Sequence, residues 1–371
     1  MKIAFIAIMA AFLLSACGNA QQSANPVNPA TGWANWNKGS EAVYTGPSRI
    51  VSDPSVLPDD SVFRMAYTSV DFTNPNGPHA SISQATSGDS LSWAVAPNTT
   101  GTSFRGEVLR GRPGQWDEDL ETPFLLKTQS GYLLYYSGYR DGLPQGSPGK
   151  GFPAALGVAR SVDGVNFTRV QSEPIMTPTP GTYDADAIYS PDIIPYQGGY
   201  LMVYAGHCYT NCPGAPGVRI LGATSPDGLH WTKFADPMLS AAPTPDWMRD
   251  GVAEPAVMLG PDGDLYLFFT GVKDQQHVIG IARASAPNAA WSVDPDSIVT
   301  PTTGAFDEAG DVGPTVVLEN GVVRMWFAGS NHQGQYSIGY AEAPWPLRQD
   351  SKSGHTSHPV FAFANTDGHG Q

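Results

Sequence analysis

The 371-residue chain has little positive charge. Lysine and arginine together number 20 against 34 aspartates and glutamates, which gives a formal net charge of −14, and no stretch of the sequence is distinctly basic. Affinity for nucleic acid rests on the neutralisation of phosphates, so this composition argues against a nucleic-acid partner. A neutral ligand fits the balance of charge better.

Long apolar runs are missing as well, with one exception at the start of the chain. Lys2 precedes the apolar residues 3–14, a run as long as the hydrophobic region of a signal peptide and too short to span a bilayer. Small residues then stand directly before Cys17, as at a lipoprotein processing site. We predict a signal peptide over residues 1–16 and lipidation of Cys17. An ordinary secretory signal with an unrelated cysteine is the alternative.

The residues after Cys17 are rich in Asn, Gln, Ser, Ala and Pro, a composition that buries no core. We therefore expect a flexible tether over residues 17–35. Gly18 stands where an aspartate would favour retention in the inner membrane. The expected location is outside the cytoplasm, lipid-anchored through Cys17 in the outer membrane and facing the periplasm or the cell surface.

Cysteine is otherwise scarce, with three in the whole chain. Cys208 and Cys212 lie close together, and outside the cytoplasm a short-range disulfide is the expected arrangement. A metal site would need further cysteine or histidine nearby, and His207 alone stands there.

Glycine and proline, by contrast, are abundant, at 41 and 33 residues, and the chain repeats itself. Few stretches have the period of an amphipathic helix, so many short strands joined by turns are predicted. Five segments about 65 residues apart share a proline, an aliphatic residue two positions later, an aromatic-rich strand and a third strand. The five prolines are Pro54, Pro123, Pro191, Pro255 and Pro314.

This repeat predicts an all-β fold, a five-bladed β-propeller over residues 36–371. In several repeats a turn such as Asp227-Gly228 leads to a short outer strand, which makes four strands per repeat. A solenoid would need polar caps, and a single sandwich would not repeat its aromatic strand five times. The first strand of each blade should line the axis. Residues 42–44 or 360–364 would supply the strand that closes the last blade.

Acidic residues stand beside the repeated prolines. Asp53 and Glu254 directly precede their prolines, and Asp192 directly follows Pro191. Positions one before and one after a proline have the same strand parity, so these three side chains should face the axis. Glu121, two positions before its proline, has the opposite parity unless a bulge intervenes.

Converging carboxylates repel one another and shift each other's pKa values. Either a cation lies among the carboxylates and offsets their repulsion, or the shifted pKa values serve a chemical reaction. Glycoside hydrolysis uses such shifts, because one carboxyl group must be protonated as general acid while another is ionised. The alternative is that these acids cap strand ends or hold a structural ion.

Aromatic residues come shortly before the axial strands, where loops should surround the channel mouth. Sugar faces present C–H groups to aromatic rings, so we expect Trp116, Tyr183 and Trp247 to bind substrate, together with Glu121 and Arg249. A recurring packing motif within the blades is the alternative, because the copies resemble one another.

On these residues the chain resembles the five-bladed propeller glycoside hydrolases of family 43 and the related family 32. Asp53 before its proline matches the catalytic base of family 43 in the first blade, and Glu254 before its proline matches the general acid. Asp192, in a strand similar to the Ala-Pro-Asp strand of the family, would be the third carboxylate that tunes the pKa of the acid. In the family the tuning aspartate usually precedes its proline, whereas Asp192 follows one.

The resemblance implies a monomeric enzyme that hydrolyses furanose- or xylose-type oligosaccharides or polysaccharides, with inversion and without a required cofactor. It also implies a structural calcium ion in the channel near His332, for which an exposed loop histidine is the alternative. Other functions stay open: a carbohydrate-binding propeller without catalysis, a glycoside phosphorylase of related fold, or a platform for protein interaction. Arg249 alone would form a poor phosphate pocket.

Overall fold

The structure, a computed structural model, describes residues 32–74, 77–140 and 154–348. These residues form strands and one turn of 3-10 helix at Asp246–Met248. None of their helical structure is long and apolar enough to cross a membrane. Cys17, the leader at residues 1–16 and most of the tether lie outside the described residues, so the lipid anchor stays a prediction.

In the part of the chain that the structure describes, twenty-two strands account for nearly all of the regular structure. In chain order they are β1 (Asn37–Lys38), β2 (Val51–Asp59), β3 (Val62–Asp71), β4 (His79–Ser87), β5 (Ala94–Val95), β6 (Glu107–Leu109), β7 (Asp119–Thr128), β8 (Gly131–Tyr139), β9 (Ala155–Ser161), β10 (Thr168–Arg169), β11 (Ala187–Tyr196), β12 (Gly199–Cys208), β13 (Gly217–Ser225), β14 (Thr232–Lys233), β15 (Leu239–Ser240), β16 (Gly251–Leu259), β17 (Leu265–Lys273), β18 (Gln276–Ala284), β19 (Ser292–Val293), β20 (Gly310–Glu319), β21 (Val322–Ser330) and β22 (Tyr336–Pro344).

Each predicted repeat is one antiparallel sheet, here called a blade. The first four blades run β2-β3-β4-β5, β7-β8-β9-β10, β11-β12-β13-β14 and β16-β17-β18-β19, and the fifth runs β20-β21-β22-β1. The five-bladed β-propeller is therefore confirmed. The tight turn Asn320-Gly321 between β20 and β21 has positive φ at both residues, which matches the twist of a hairpin.

The ring is closed from the amino-terminal side. β1 pairs with β22, where Asn37 lies opposite Glu342, and Tyr44 makes an additional bridge to Ile338. The expected contribution of residues 42–44 is thus partly met, although the outer strand itself comes earlier in the chain. Residues 360–364 lie outside the described residues.

Apolar side chains fill the space between neighbouring blades. Five large clusters join the blades in pairs around the ring; Phe268 and Phe327, for example, lie in the cluster that joins the fourth and fifth blades. The middle strands are covered on both faces, which explains why the sequence of β17 is almost continuously apolar. The cysteine prediction is also confirmed, because Cys208 and Cys212 form a disulfide at the end of β12.

Buried aspartates in the loops before three axial strands bind cations on the outer strands of the same blades. Asp117 accepts from Arg169 and Asp184 from Lys233, each at 2.6 Å, and in the fifth blade Asp307 pairs with Lys38 of the closing strand. The three carboxylates are at most 1 % exposed. A buried carboxylate without its cation is strongly destabilising, so in these three blades the pairs fix the outermost strand to the loop before the innermost one.

Lys38→Met should destabilise the ring. Lys38 also lies 3.3 Å from Asp311, whose burial raises its pKa well above the ordinary value and whose Lys38 partner opposes that shift. Removal of the cation leaves two buried acids, and we expect a loss of about 3 kcal/mol in the free energy of unfolding, measured by denaturant titration at pH 7.

The matched control is Lys273→Met, because Lys273 pairs with the exposed Asp246 on the surface. Its substitution should leave the denaturation midpoint nearly unchanged. The loss caused by Lys38→Met should shrink as the pH falls, because Asp311, with its raised pKa, then carries a proton and needs no cation. Equal denaturation midpoints for Lys38→Met and Lys273→Met would contradict the stabilising role of the Lys38 ion pairs.

Candidate active site

The first strand of every blade contains a bulge at its proline. The ladder with the second strand shifts register at this point in all five blades, and the residue before each proline has a positive φ of 48 to 58°. The bulge turns these residues towards the axis, where they line one pocket. They are Asp53, Thr122, Ser190, Glu254 and Gly313.

The carboxylate of Asp53 is surrounded by hydrogen-bond donors. Ser52 donates its hydroxyl to Oδ2 at 3.1 Å, and the Thr68 hydroxyl and the backbone N–H of Thr122 in the next blade also donate to the carboxylate. Burial raises the pKa of Asp53, and the three donors oppose that shift because they favour the charged form.

Glu254 has the same surroundings in the fourth blade. Its Oε2 accepts from the Thr270 hydroxyl at 2.7 Å and from the N–H of Gly313 in the next blade at 3.0 Å. Burial and then the charge of Asp53 raise the pKa of Glu254 to about 7. The two carboxylates therefore interact, and Glu254 holds a proton far more readily than an ordinary glutamate.

Gly313 separates the two acids in the ring of five positions. A Cβ at Gly313 would lie 3.5 Å from Oδ1 of Asp53, while its N–H binds Glu254. Non-glycine residues adopt nearly the same φ at the four equivalent positions, so the backbone does not require glycine here. The missing side chain instead leaves open space between the two carboxylates.

Glu121 joins this pair electrostatically. Tyr139 donates its hydroxyl to Oε1 of Glu121 at 2.8 Å. Burial, and then the charges of neighbouring acids including Asp53 and Glu254, raise the pKa of Glu121 to about 8. Opposite strand parity separated Glu121 from the axial acids in the sequence, but the bulge that begins at Thr122 removes that restriction.

Asp192 lines the same pocket but binds the neighbouring blade. Its Oδ1 accepts from the backbone N–H of Val257 at 3.1 Å, and burial raises its pKa to about 7. Two other blades make the same bond from the position after the proline with hydroxyl groups. These bonds are Leu125 N–H to Ser55 at 2.8 Å and Val56 N–H to Thr315 at 3.4 Å. Their equivalence favours a blade-joining role for Asp192.

Trp247, an expected sugar platform, packs inside its own blade. Its ring covers Gly271 and Gly280, so that a Cβ at Gly280 would come within 1.8 Å of the ring. The indole N–H donates to the backbone oxygen of Pro295 at 3.1 Å. This placement favours the packing alternative.

Trp116 and Tyr183 occupy corresponding places in the second and third blades. Trp116 stacks on Tyr136 at 6.1 Å between ring centroids and donates its indole N–H to Ser172. The guanidinium of Arg219 lies 4.9 Å from the ring centroid of Tyr183. Both rings thus have partners within the blades.

Arg249 and His332 lie away from the acids. Arg249 forms ion pairs with Asp246 and Asp274 near the surface, and His332 is exposed in the turn after β21. Within the described ranges no three His, Cys, Asp or Glu residues are grouped so as to hold a metal ion. The calcium ion expected in the channel near His332 stays a prediction, and we derive no step through a metal.

Tyrosines that the sequence analysis missed surround the acids. Tyr139 binds Glu121, and Tyr336 at the start of β22 has its pKa raised to about 12 by burial and by the charges of Glu254 and Asp53. Tyr189 precedes the bulge of the third blade at the position that Glu121 occupies in the second. Alignment of the five repeats on their prolines was the signal that would have found it.

Comparison with known proteins agrees with this architecture. The family model for Glycosyl hydrolases family 43 matches residues 116–364, more than half of the chain and including Glu121, Asp192 and Glu254. Asp53 precedes the matched segment. A search among curated proteins gives no match.

Solved structures share the fold over most of the chain. One described as a glycoside hydrolase has a TM-score of 0.64 and 14% identity, covering 88% of this chain and 95% of its own. A thermostable family-43 glycoside hydrolase has a TM-score of 0.60 and 16% identity, covering 85% and 100%. A β-1,2-mannobiose phosphorylase from Listeria innocua has a TM-score of 0.58 and 12% identity, covering 86% and 92%.

At such identities the structures support the fold, while the sequence match over residues 116–364 establishes the relationship. With its five-bladed ring and its carboxylates converging on one pocket, the chain belongs to glycosyl hydrolases family 43 and is a glycoside hydrolase.

Proposed function

We propose that the chain hydrolyses furanose- or xylose-type oligosaccharides or polysaccharides with Asp53 as general base and Glu254 as general acid. The observation that carries this proposal is the pair of buried carboxylates on either side of the side-chain-free Gly313. In this proposal the scissile bond lies in the space between them that Gly313 leaves free of a side chain.

The surroundings of the two acids support this division of roles. A base must be ionised, and although burial raises the pKa of Asp53, three hydrogen-bond donors oppose that rise by favouring its charged form. An acid must carry a proton near neutral pH, and the pKa of Glu254, at about 7, allows that. Glu121, with a pKa of about 8, is then protonated and adds little negative charge. The charges of Asp53 and Glu254 act on Glu121, whereas burial and the backbone N–H of Val257 set the pKa of Asp192, so Glu121 rather than Asp192 is the carboxyl group coupled to the pair.

Hydrolysis is better supported than phosphorolysis or binding alone. The described residues that line the pocket include Asp53, Asp192 and Glu254 but no lysine, arginine or histidine, so an entering phosphate would meet carboxylates rather than a cation. A purely sugar-binding site would gain nothing from buried acids that raise each other's pKa values.

The proposed setting is the outside of the cell. The disulfide between Cys208 and Cys212 fits an oxidising compartment, in agreement with the leader and with the lipid anchor proposed at Cys17.

Asp53→Asn and Glu254→Gln should each lower kcat/KM by at least about 100-fold, because each removes one proton-transfer group. The assay is hydrolysis of aryl arabinofuranosides, aryl xylosides and plant polysaccharides, with circular dichroism as the check on folding. Asp60→Asn, at an exposed turn of the first blade, is the matched control and should behave as wild type. Full activity in either active-site variant would overturn the assignment.

Activity should fall as the pH rises through about 7, because Glu254 loses the proton that it donates to the leaving oxygen. A profile of kcat/KM against pH measures this decrease in activity. Glu121→Gln should retain most activity below pH 7, since glutamine reproduces the neutral form of Glu121. A wild-type profile that stays flat to pH 9 would contradict Glu254 as the acid.

Gly313→Ser should lower kcat/KM by at least about tenfold, because the new side chain enters the space between the carboxylates. The variant should still fold, because Ser190 adopts nearly the same φ at the equivalent position of the third blade, with only a modest loss of melting temperature from the positive φ that glycine adopts without strain. The control is Ser190→Gly, which opens space away from the pair. An active, stable Gly313→Ser enzyme would show that this space is not used.

A further inference from the structure

A row of aromatic rings leads from the acid cluster to the surface of the third blade. Ring centroids are 6.5 Å apart between Tyr139 and Tyr189, 5.2 Å between Tyr189 and His207, and 6.1 Å between His207 and Tyr209. Tyr139 is 4 % exposed and Tyr209 is 39 % exposed, so the row runs from the interior to solvent.

The inner end of this row belongs to the site. Tyr139 donates to Glu121, and the charge of Glu121 together with that of Tyr209 contributes to the raised pKa of Tyr189. Tyr189 therefore lies close enough to both Glu121 and Tyr209 for them to influence its pKa. Ring contacts thus connect the acid cluster with the exposed Tyr209.

The outer end is held in place by the backbone. β12 ends at Cys208, beside the start of β11, so the loop that follows lies on the same face of the ring as the acids. Oδ2 of Asp186 accepts the N–H of Tyr209 at 2.6 Å and that of Thr210 at 3.2 Å. The disulfide from Cys208 to Cys212 closes the short loop that carries Tyr209.

We propose that Tyr189, His207 and Tyr209 form a second sugar subsite, which binds a neighbouring sugar unit of an oligosaccharide whose glycosidic bond lies between Asp53 and Glu254. This inference rests on the proposed function. Sugar rings stack on aromatic faces, and a row of rings that begins at the acids follows the direction of a chain of sugars.

The chemistry of the row fits a neutral sugar rather than an ion. Burial lowers the pKa of His207 to about 4, so that its imidazole is neutral at physiological pH and offers one donor and one acceptor to hydroxyl groups. The carboxylate of Asp186 is engaged by two backbone N–H groups. Tyrosine rings supply rigid area at low conformational cost.

The test compares tetrasaccharides of xylose and of arabinofuranose with the aryl glycoside of the corresponding single sugar. Tyr209→Ala should lower kcat/KM for the tetrasaccharide about tenfold, mainly through a higher KM, and should change that for the aryl glycoside less than about twofold. Tyr209→Phe keeps the ring and should behave as wild type. Gln333→Ala, in the equivalent exposed turn of the fifth blade, is the matched control.

Binding in the Glu254→Gln background separates this inference from the proposed function, because calorimetric titration with the tetrasaccharide requires no hydrolysis. Weaker binding on addition of Tyr209→Ala, with restored binding for Tyr209→Phe, supports the subsite even if the wild type hydrolyses nothing. Unchanged tetrasaccharide affinity in Tyr209→Ala, or an equal loss for both substrates, would overturn the subsite even if hydrolysis is found.

Discussion

The left-handed bulge before each axial proline is the feature on which the site depends. Residues before proline normally avoid helical conformations, and a positive φ there is costly for any residue with a side chain. Four such residues, together with Gly313, are held in place because apolar clusters close the blades into a ring. The closed ring brings all five to one axis, so side chains far apart in the sequence meet in one pocket.

Differences among five nearly equivalent positions then create the chemistry. The side chains of Asp53, Thr122 and Glu254 each accept a hydrogen bond from a backbone N–H of the next blade. The three positions therefore have the same backbone surroundings. The Thr122 hydroxyl does not ionise, so burial does not change its protonation. Burial raises the pKa of both acids, the charge of Asp53 raises that of Glu254 further, and Gly313 leaves the space between them open.

The repeat made the fold predictable, whereas the site was only partly so. Spacing of the five prolines identified the blades, and adjacency to proline identified Asp53 and Glu254. Strand parity could not decide the place of Glu121, because a bulge shifts the alternation by one residue and alternation alone does not reveal a bulge. In the structure the charges of Asp53 and Glu254 act on Glu121, which does not itself line their pocket. The aromatic residues were ambiguous for a different reason: Trp116 and Trp247 repeat with the blades, and repetition is a property of packing.

Function in a repeat fold is therefore better sought where the repeat is broken. Trp116, Tyr183 and Trp247 obey the repeat, and each has partners within its blade. Glu121 and Tyr189 do not, since the corresponding residues of the other blades are Ser52, Ala253 and Val312. A side chain that every blade carries stabilises every blade, but one that a single blade carries must be explained by its own neighbours. For Glu121 and Tyr189 those neighbours are the carboxylates proposed to be catalytic and the aromatic row.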